Sequence, residues 1–265
     1  MANYALEFTG SQDATADEGY VAIASSDDIG SLVDDFTIAT WFKCGDTRRS
    51  NYAPYNAGSW TISTADISMP GGWAIGRMAA NRAPFTGVTT SCQGRITFIS
   101  GDMSNWFAAY SDQDGNTGIN IDGNWHHLVG IVDSGVMTLY IDGTAQAATA
   151  DTSGNIFAAG SATVGRAMSN SNTYYSTGEI DQTAVWNVVL TGAEITELYN
   201  SGDAYDATNI QAANLILYYK YDSGPGNTTL TDSSAGGNDH VGTMTNMDGG
   251  TAEVEPTPCK YCALC

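Results

Sequence analysis

Asn124-Trp125-His126-His127-Leu128-Val129-Gly130-Ile131-Val132, Asp133-Ser134-Gly135, Val136-Met137-Thr138-Leu139-Tyr140-Ile141 and Asp142-Gly143 run on without interruption, and they decide the fold class. The first segment is apolar and β-branched over a strand's length. The third alternates, so Met137, Leu139 and Ile141 share one face. Asp133-Ser134-Gly135 and Asp142-Gly143 carry hairpin-turn residues, and the second opens another short strand. Three consecutive β elements make an antiparallel meander.

Strands extend on both sides of it. Phe36-Thr37-Ile38-Ala39-Thr40-Trp41-Phe42 alternates, with Phe36, Ile38 and Phe42 on one face. Glu179-Ile180-Asp181-Gln182-Thr183-Ala184-Val185-Trp186 and Leu215-Ile216-Leu217-Tyr218-Tyr219-Lys220-Tyr221 read as further strands. Tyr4 to Thr9 reads as one more, so both chain ends are strand-like and are expected to pair with each other. One helix is signalled: Thr191 and Glu194 form a capping box, Ile195 and Leu198 an apolar stripe, and Gly202 a stop. Residues 44–72 and 79–94 read as long irregular loops of the kind that often carry function.

Composition narrows the function. The 265 residues are 42% hydrophobic, enough for a sizeable core, and contain 30 Gly, which suits many short strands and tight turns. The net charge is −20, from 29 acids and 9 bases, which excludes nucleic acid as the expected partner and disfavours an anionic membrane surface. No run reaches the roughly 20 apolar residues of a membrane span, so no membrane insertion is expected. No signal peptide is visible. The expected setting is therefore a virion surface, or an extracellular one reached without such a signal. Of the acids 22 are Asp and 7 are Glu, a bias toward turns and loop cation sites. The five cysteines are Cys44, Cys92, Cys259, Cys262 and Cys265. Cys44 and Cys92 are candidates to pair. The terminal three are open to three readings: inert thiols, intersubunit disulfides or metal ligands. Residues 1–252 are expected to form one domain and 253–265 a cysteine-containing tail.

Together, Tyr4-Ala5-Leu6-Glu7-Phe8-Thr9-Gly10, Phe36–Lys43, Asn124–Gly143, Gly178-Glu179-Ile180-Asp181 through Asn187, the capped helix to Gly202, and Thr231–Asp239 resemble, in this order, the laminin-G-like (concanavalin A-like lectin and glucanase) superfamily. The resemblance implies an all-β, antiparallel jelly-roll sandwich of two sheets with one short helix. It also implies binding of glycans or proteins.

Candidate chemistry follows from that. Glu179 and Asp181 resemble part of the acid-bearing strand of laminarinase-type glycoside hydrolases. Alternation puts Thr183 third on their face, and it cannot serve as an acid. Backbone spacing of about 6.6–7 Å between alternate residues also fits poorly with the carboxyl separation of about 5–5.5 Å in retaining enzymes. The competing reading is an ordinary strand opening, and the protein is expected not to be an enzyme. His126 and His127 point to opposite faces and are read as structural. The resemblance places a structural calcium ion around Asp17, Glu18 and Asp181, with Asp222 as a further ligand. Asp112 and Asp114 form a second candidate for the cation. For sugar stacking the candidates are Tyr52, Tyr55, Trp60, Trp106, Tyr110, Tyr174 and Tyr175. The leading expectation is a non-enzymatic carbohydrate-binding or adhesion module on a virion surface. The alternatives are a capsid-decoration or fibre subunit contacting a neighbouring structural protein, and a laminarinase-type hydrolase. A homo-oligomer or an assembly on a larger particle fits either of the first two.

Overall fold

A computed structural model describes residues 5–9, 19–24, 27–44, 59–63, 72–78, 94–102, 104–112, 122–152, 156, 162–168, 173–222, 226–235 and 240–247. In chain order its strands are β1 (Leu6–Thr9), β2 (Tyr20–Ile23), β3 (Phe36–Cys44), β4 (Ser59–Ser63), β5 (Trp73–Arg77), β6 (Ile96–Gly101), β7 (Trp106–Tyr110), β8 (Trp125–Asp133), β9 (Val136–Ile141), β10 (Thr144–Ala145), β11 (Ala150–Asp151), β12 (Thr163–Val164), β13 (Arg166–Met168), β14 (Thr173–Tyr175), β15 (Thr177–Trp186), β16 (Leu215–Tyr219), β17 (Thr229–Leu230) and β18 (Gly242–Thr245). A one-turn helix, α1 (Asp27–Gly30), precedes β3, and α2 (Gly192–Tyr199) follows β15. Among the described residues no helix is long and apolar enough to cross a membrane.

Two antiparallel sheets form the expected jelly-roll sandwich. Sheet A runs β1-β15-β3-β8-β9-β10, with β11 beside β9 and β16 beside β15; sheet B runs β17-β18-β2-β12-β4-β5-β6-β7. The meander is the spine of sheet A. Ser134 (φ 50°) and Gly135 (φ 82°) both take positive φ between β8 and β9, the two-residue turn whose twist matches the strands it joins. Asp35 and Asp34 accept hydrogen bonds from the Ser134 and Gly135 amides, each at 2.9 Å, which ties this turn to the start of β3.

Between the sheets, Phe36, Ile38, Phe42, Leu128, Leu139, Ile180 and Leu217 meet Val21, Ile62, Trp73, Ile75 and Phe98. The outer face of sheet A is apolar as well, with Val129, Ile131, Ala184, Trp186 and Leu215 covered by Ile195 and Leu198 of α2 and by Ile210. Trp186 Nε1 donates to the Ile210 carbonyl at 2.9 Å, so the largest ring in that layer is buried without an orphaned donor. The capping box is present: the Glu194 amide donates to Thr191 Oγ1, and the Thr191 amide donates to Glu194 Oε2. Thr191→Ala should cost about 1 kcal/mol in a urea melt, the usual worth of such a cap. A change below about 0.3 kcal/mol would show that α2 is held by packing alone.

Four expectations need correction. The chain ends do not pair with each other: β1 lies along the first half of β15 and β16 along its second half. The ends of the domain meet in sheet B instead, where β18 pairs with β2. Residues 44–72 are not wholly irregular, because Ser59–Ser63 form β4 in the middle of sheet B. Helix α2 stops at Asn200, which takes the left-handed conformation (φ 44°) before Gly202 is reached. Finally, β15 does not alternate throughout. Gln182 has φ 46°, and the register against β3 shifts between Asp181 and Ala184, a β-bulge. Thr183 therefore turns inward, where Tyr221 Oη donates to its Oγ1 at 2.8 Å and Thr40 Oγ1 lies 3.2 Å away. Ala184 takes the third place on the face of Glu179 and Asp181.

Candidate functional site

A half-buried corner beside β2 gathers two tyrosines and an arginine. Its framework begins at Gly165, where the chain leaves sheet B and turns into the β13–β14 ribbon. Gly165 has φ 75°, and a Cβ there would lie 2.0 Å from the Phe8 ring, so only glycine fits. Thr163 Oγ1 donates to the Arg166 carbonyl at 3.0 Å, and the Ser176 amide donates to the Gly165 carbonyl at 2.8 Å. Both ends of the ribbon are thereby fixed to the sandwich, and its register sets Arg166 opposite Tyr175. The Arg166 guanidinium lies 3.5 Å from the centre of the Tyr20 ring, and the Tyr20 and Tyr175 rings are 6.3 Å apart at 50°. All three residues are partly open to solvent. Such a cluster offers aromatic faces for an apolar surface and a flat fork of N–H donors for oxygens beside it.

The seven aromatic candidates do not make one surface. Tyr175 is in the corner. Tyr174 precedes it in β14, and Trp60 is on β4, against which β13 and β14 both pack; for these two only the backbone is described. Trp106 and Tyr110 lie at the two ends of β7, with β4, β5 and β6 between them and β12. There the Tyr110 ring lies 5.4 Å from the Arg95 guanidinium, which donates to the Ser111 carbonyl. Tyr52 and Tyr55 lie outside the described residues. Tyr20 and Arg166 were not singled out from sequence. The available signal was an arginine directly after a glycine, in a chain with only nine basic residues.

The acidic candidates also separate. Glu179 accepts from Lys43 Nζ at 2.8 Å. Asp181 is 2% exposed and accepts one hydrogen bond, from the Gln182 amide at 2.8 Å. Burial holds its carboxyl well above the usual carboxylate range, and the neighbouring Asp222 adds to the effect. Asp222 is itself raised, first by desolvation. Asp112 is a clasp: its amide donates to Gln146 Oε1 and its Oδ1 accepts from the Ala147 amide, both at 3.0 Å. Asp17, Glu18 and Asp114 lie outside the described residues, as do Cys92 and the terminal tail, while Cys44 is buried at the end of β3. Among the described residues no three His, Cys, Asp or Glu side chains form a metal-holding group.

Each histidine is held by its neighbours. His126 Nδ1 lies 2.7 Å from Asp142 Oδ2, and its Nε2 lies 3.1 Å from Asp122 Oδ1. His127 is buried, its ring 5.1 Å from that of Trp41 and 6.4 Å from that of Tyr199. His240, which looks like an ordinary polar-loop residue in the sequence, is also buried, with Nε2 2.8 Å from Asp28 Oδ1 and Nδ1 3.2 Å from Asp232 Oδ2.

Two stacked antiparallel sheets with a capped helix on an outer face define a jelly-roll sandwich. The chain belongs to the concanavalin A-like lectin/glucanase superfamily, whose family model matches residues 15–196. No curated protein matches it by sequence. Among solved structures it is similar to a Bacteroides ovatus ATCC 8483 protein provisionally described as carbohydrate binding (15% identity, TM-score 0.57, covering 96% of this chain and 62% of that one). It is also similar to the binding domain of Botulinum neurotoxin DC, solved with rat synaptotagmin II (14% identity, TM-score 0.50) and with SialylT (15%, 0.50). Each neurotoxin match covers 74% of this chain and 42% of the other. The chain thus spans less than two thirds of the length of these structures, and at such identities the likeness is one of fold.

Proposed function

We propose that this domain binds glycans and leaves them uncleaved. The observation that carries the reading is the Tyr20–Arg166–Tyr175 corner, part-exposed and anchored at both ends by hydrogen bonds to the sandwich. A sugar ring stacks its C–H face on tyrosine while its hydroxyls accept from guanidinium N–H groups, and a preformed cluster loses little entropy on binding. The carbohydrate-linked descriptions of two neighbours of the same fold support the direction of this reading.

Catalysis finds no support on β15. A hydrolase needs a protonatable acid and a partner carboxylate on one face. After the bulge the third position on this face is Ala184, Glu179 is neutralised by Lys43, and Asp181 is buried. A glycan array read together with mass analysis of the eluted sugars tests both halves. We expect at least one glycan class to be retained and recovered at its original mass. Silence over the whole array, or shortened chains dependent on Glu179, would refute the proposal.

A structural calcium ion belongs to the same proposal. Asp181 is a buried carboxyl with no cation opposite it among the described residues, and Asp222 is close enough to push its pKa further up. Together with Asp17 and Glu18 these residues would hold the ion, whose charge would stabilise the ionised carboxylates. The sign follows. A carboxyl raised in the folded state favours folding below its ordinary pKa and loses that contribution as pH rises through the raised value, whereas bound calcium reverses the trend. At 100-fold its dissociation constant, calcium should add about 2.7 kcal/mol of stability over EGTA. The gain should be larger at pH 7.5 than at pH 5 and absent in Asp181→Asn. Equal melting curves with and without calcium would exclude the ion.

A further inference from the structure

His126 stands between two aspartates, one on each ring nitrogen. Its Nδ1 lies 2.7 Å from Asp142 Oδ2, and its Nε2 lies 3.1 and 3.2 Å from the two oxygens of Asp122. An imidazolium donates from both nitrogens, whereas a neutral imidazole donates from one and offers a lone pair at the other. Only the doubly protonated ring therefore fits both contacts. In the neutral ring one lone pair must face a carboxylate.

The two arms differ in what else holds them. Asp142 is fixed to β8 whatever the charge on the ring: its Oδ1 accepts from the His127 amide, and its own amide donates to the His127 carbonyl, both at 2.9 Å. The proton kept by a neutral His126 thus stays on Nδ1 with the nearer partner, and the lone pair falls to Nε2, against Asp122. Asp122 has no such second anchor among the described residues. Its carboxylate otherwise bonds only Asn124, two residues on in the same turn. Apart from its chain neighbours, no described atom lies within 4 Å of the place a Gly123 Cβ would take, so the tip of the turn is unpacked. His240 also stands between two aspartates, but Asp232 is held by two backbone amides, and Asp28 by α1, whose Ile29 is fully buried. Neither of its arms can leave.

We propose that His126 is a pH-operated latch: with both ring protons it ties the 122–124 turn to the turn between β9 and β10, and on losing one it lets the 122–124 turn go. Burial works against the charged ring, but Asp142 and then Asp122 outweigh it and hold its pKa above the usual 6.5. The latch is therefore closed below pH 6.5 and opens as pH rises through the raised value. These two carboxylates are the charged groups that act on the ring among the described residues. On β3, Phe42 stands opposite His126, while Lys43 is paired with Glu179 and lies 6.0 Å from the Trp125 ring. Tyr199 of α2 and the neutral His127 face Asp142. The latch uses none of the corner residues and is independent of the glycan reading.

The test is NMR of the full isotope-labelled chain from about pH 5 to about pH 10. Ring shifts give the His126 midpoint. Relaxation of the Asn124 Cα–H bond, whose proton does not exchange with water, gives the order of the turn. In the wild type that order parameter should fall from about 0.85 to below about 0.6 across the His126 midpoint. Two variants should stop the release. Asp122→Asn donates its side-chain N–H to the Nε2 lone pair. Asp142→Asn accepts from the His127 amide with its carbonyl and donates to Nδ1, which leaves the single ring proton on Nε2 for Asp122. In both, Asn124 should stay ordered throughout and His126 should titrate at lower pH than in the wild type, with melting curves recorded to confirm the fold. An order parameter that is flat across the wild-type midpoint, a midpoint below 6.5, or the same loosening in either variant would overturn the latch.

Discussion

Asp232→Ala should remove about 3–5 kcal/mol of folding stability, because it deletes a buried acceptor and leaves two backbone amides and a buried histidine without their partner. The Asp232 side chain is 2% exposed. Its Oδ1 accepts from the Tyr218 and Ser234 amides, both at 2.9 Å, and its Oδ2 faces His240. With the Ser233 amide donating to the Tyr218 carbonyl at 2.8 Å, this loop closes the edge of β16 that no strand covers among the described residues. His240 carries the tie on to Asp28, so segments from opposite ends of the chain are joined through one ring. Asp232→Asn keeps an acceptor for the amides and should cost roughly half as much. Urea melts of the two variants check this; a loss below about 1 kcal/mol for Asp232→Ala would mean that solvent replaces the bonds freely.

The second large effect concerns pH. Burial pushes His127 down to about 4 from 6.5, against a smaller upward pull from Asp142. The unfolded chain then takes up a proton near pH 6.5 that the folded protein refuses until about pH 4. Stability is therefore fully present above 6.5 and falls as pH is lowered through that window, by about 3 kcal/mol at 1.36 kcal/mol per pKa unit. His126 has the opposite sign. Burial would lower it, but Asp142 and Asp122 outweigh that and raise it, so its contribution is present at low pH and fades as pH rises through the raised value. His127→Phe keeps a ring between Trp41 and Tyr199. Between pH 7 and 4 it should lose about 3 kcal/mol less than wild type in denaturant titrations. Parallel pH profiles would show that His127 is not held neutral.

The legible parts of the sequence were those with local chemistry. The β8–β9–β10 meander declares itself through Ser134-Gly135 and Asp142-Gly143, and the start of α2 through Thr191 and Glu194. The helix end was misjudged because a non-glycine residue, Asn200, adopts the left-handed conformation usually left to glycine. The bulge at Gln182 has the same cause, and no residue in Asp181-Gln182-Thr183 marks it. β4 escaped because five residues amid long polar segments give too short a pattern for alternation to stand out. In the candidate site, Tyr175 was legible as an aromatic in a polar stretch. Its partners Tyr20 and Arg166 were not, since only strand pairing brings β2 and the β13–β14 ribbon together. His240 was invisible for a related reason: a polar loop residue becomes a buried one only when Asp28 and Asp232 arrive from elsewhere.

The central claim is recognition by a preformed corner. Its most direct measurement is the affinity of the array-selected glycan for wild type and for a Tyr175→Ala/Arg166→Ala double variant, with melting curves recorded alongside. The account predicts at least a tenfold loss of affinity, about 1.4 kcal/mol, with the fold intact. Equal affinity in the two proteins would contradict it.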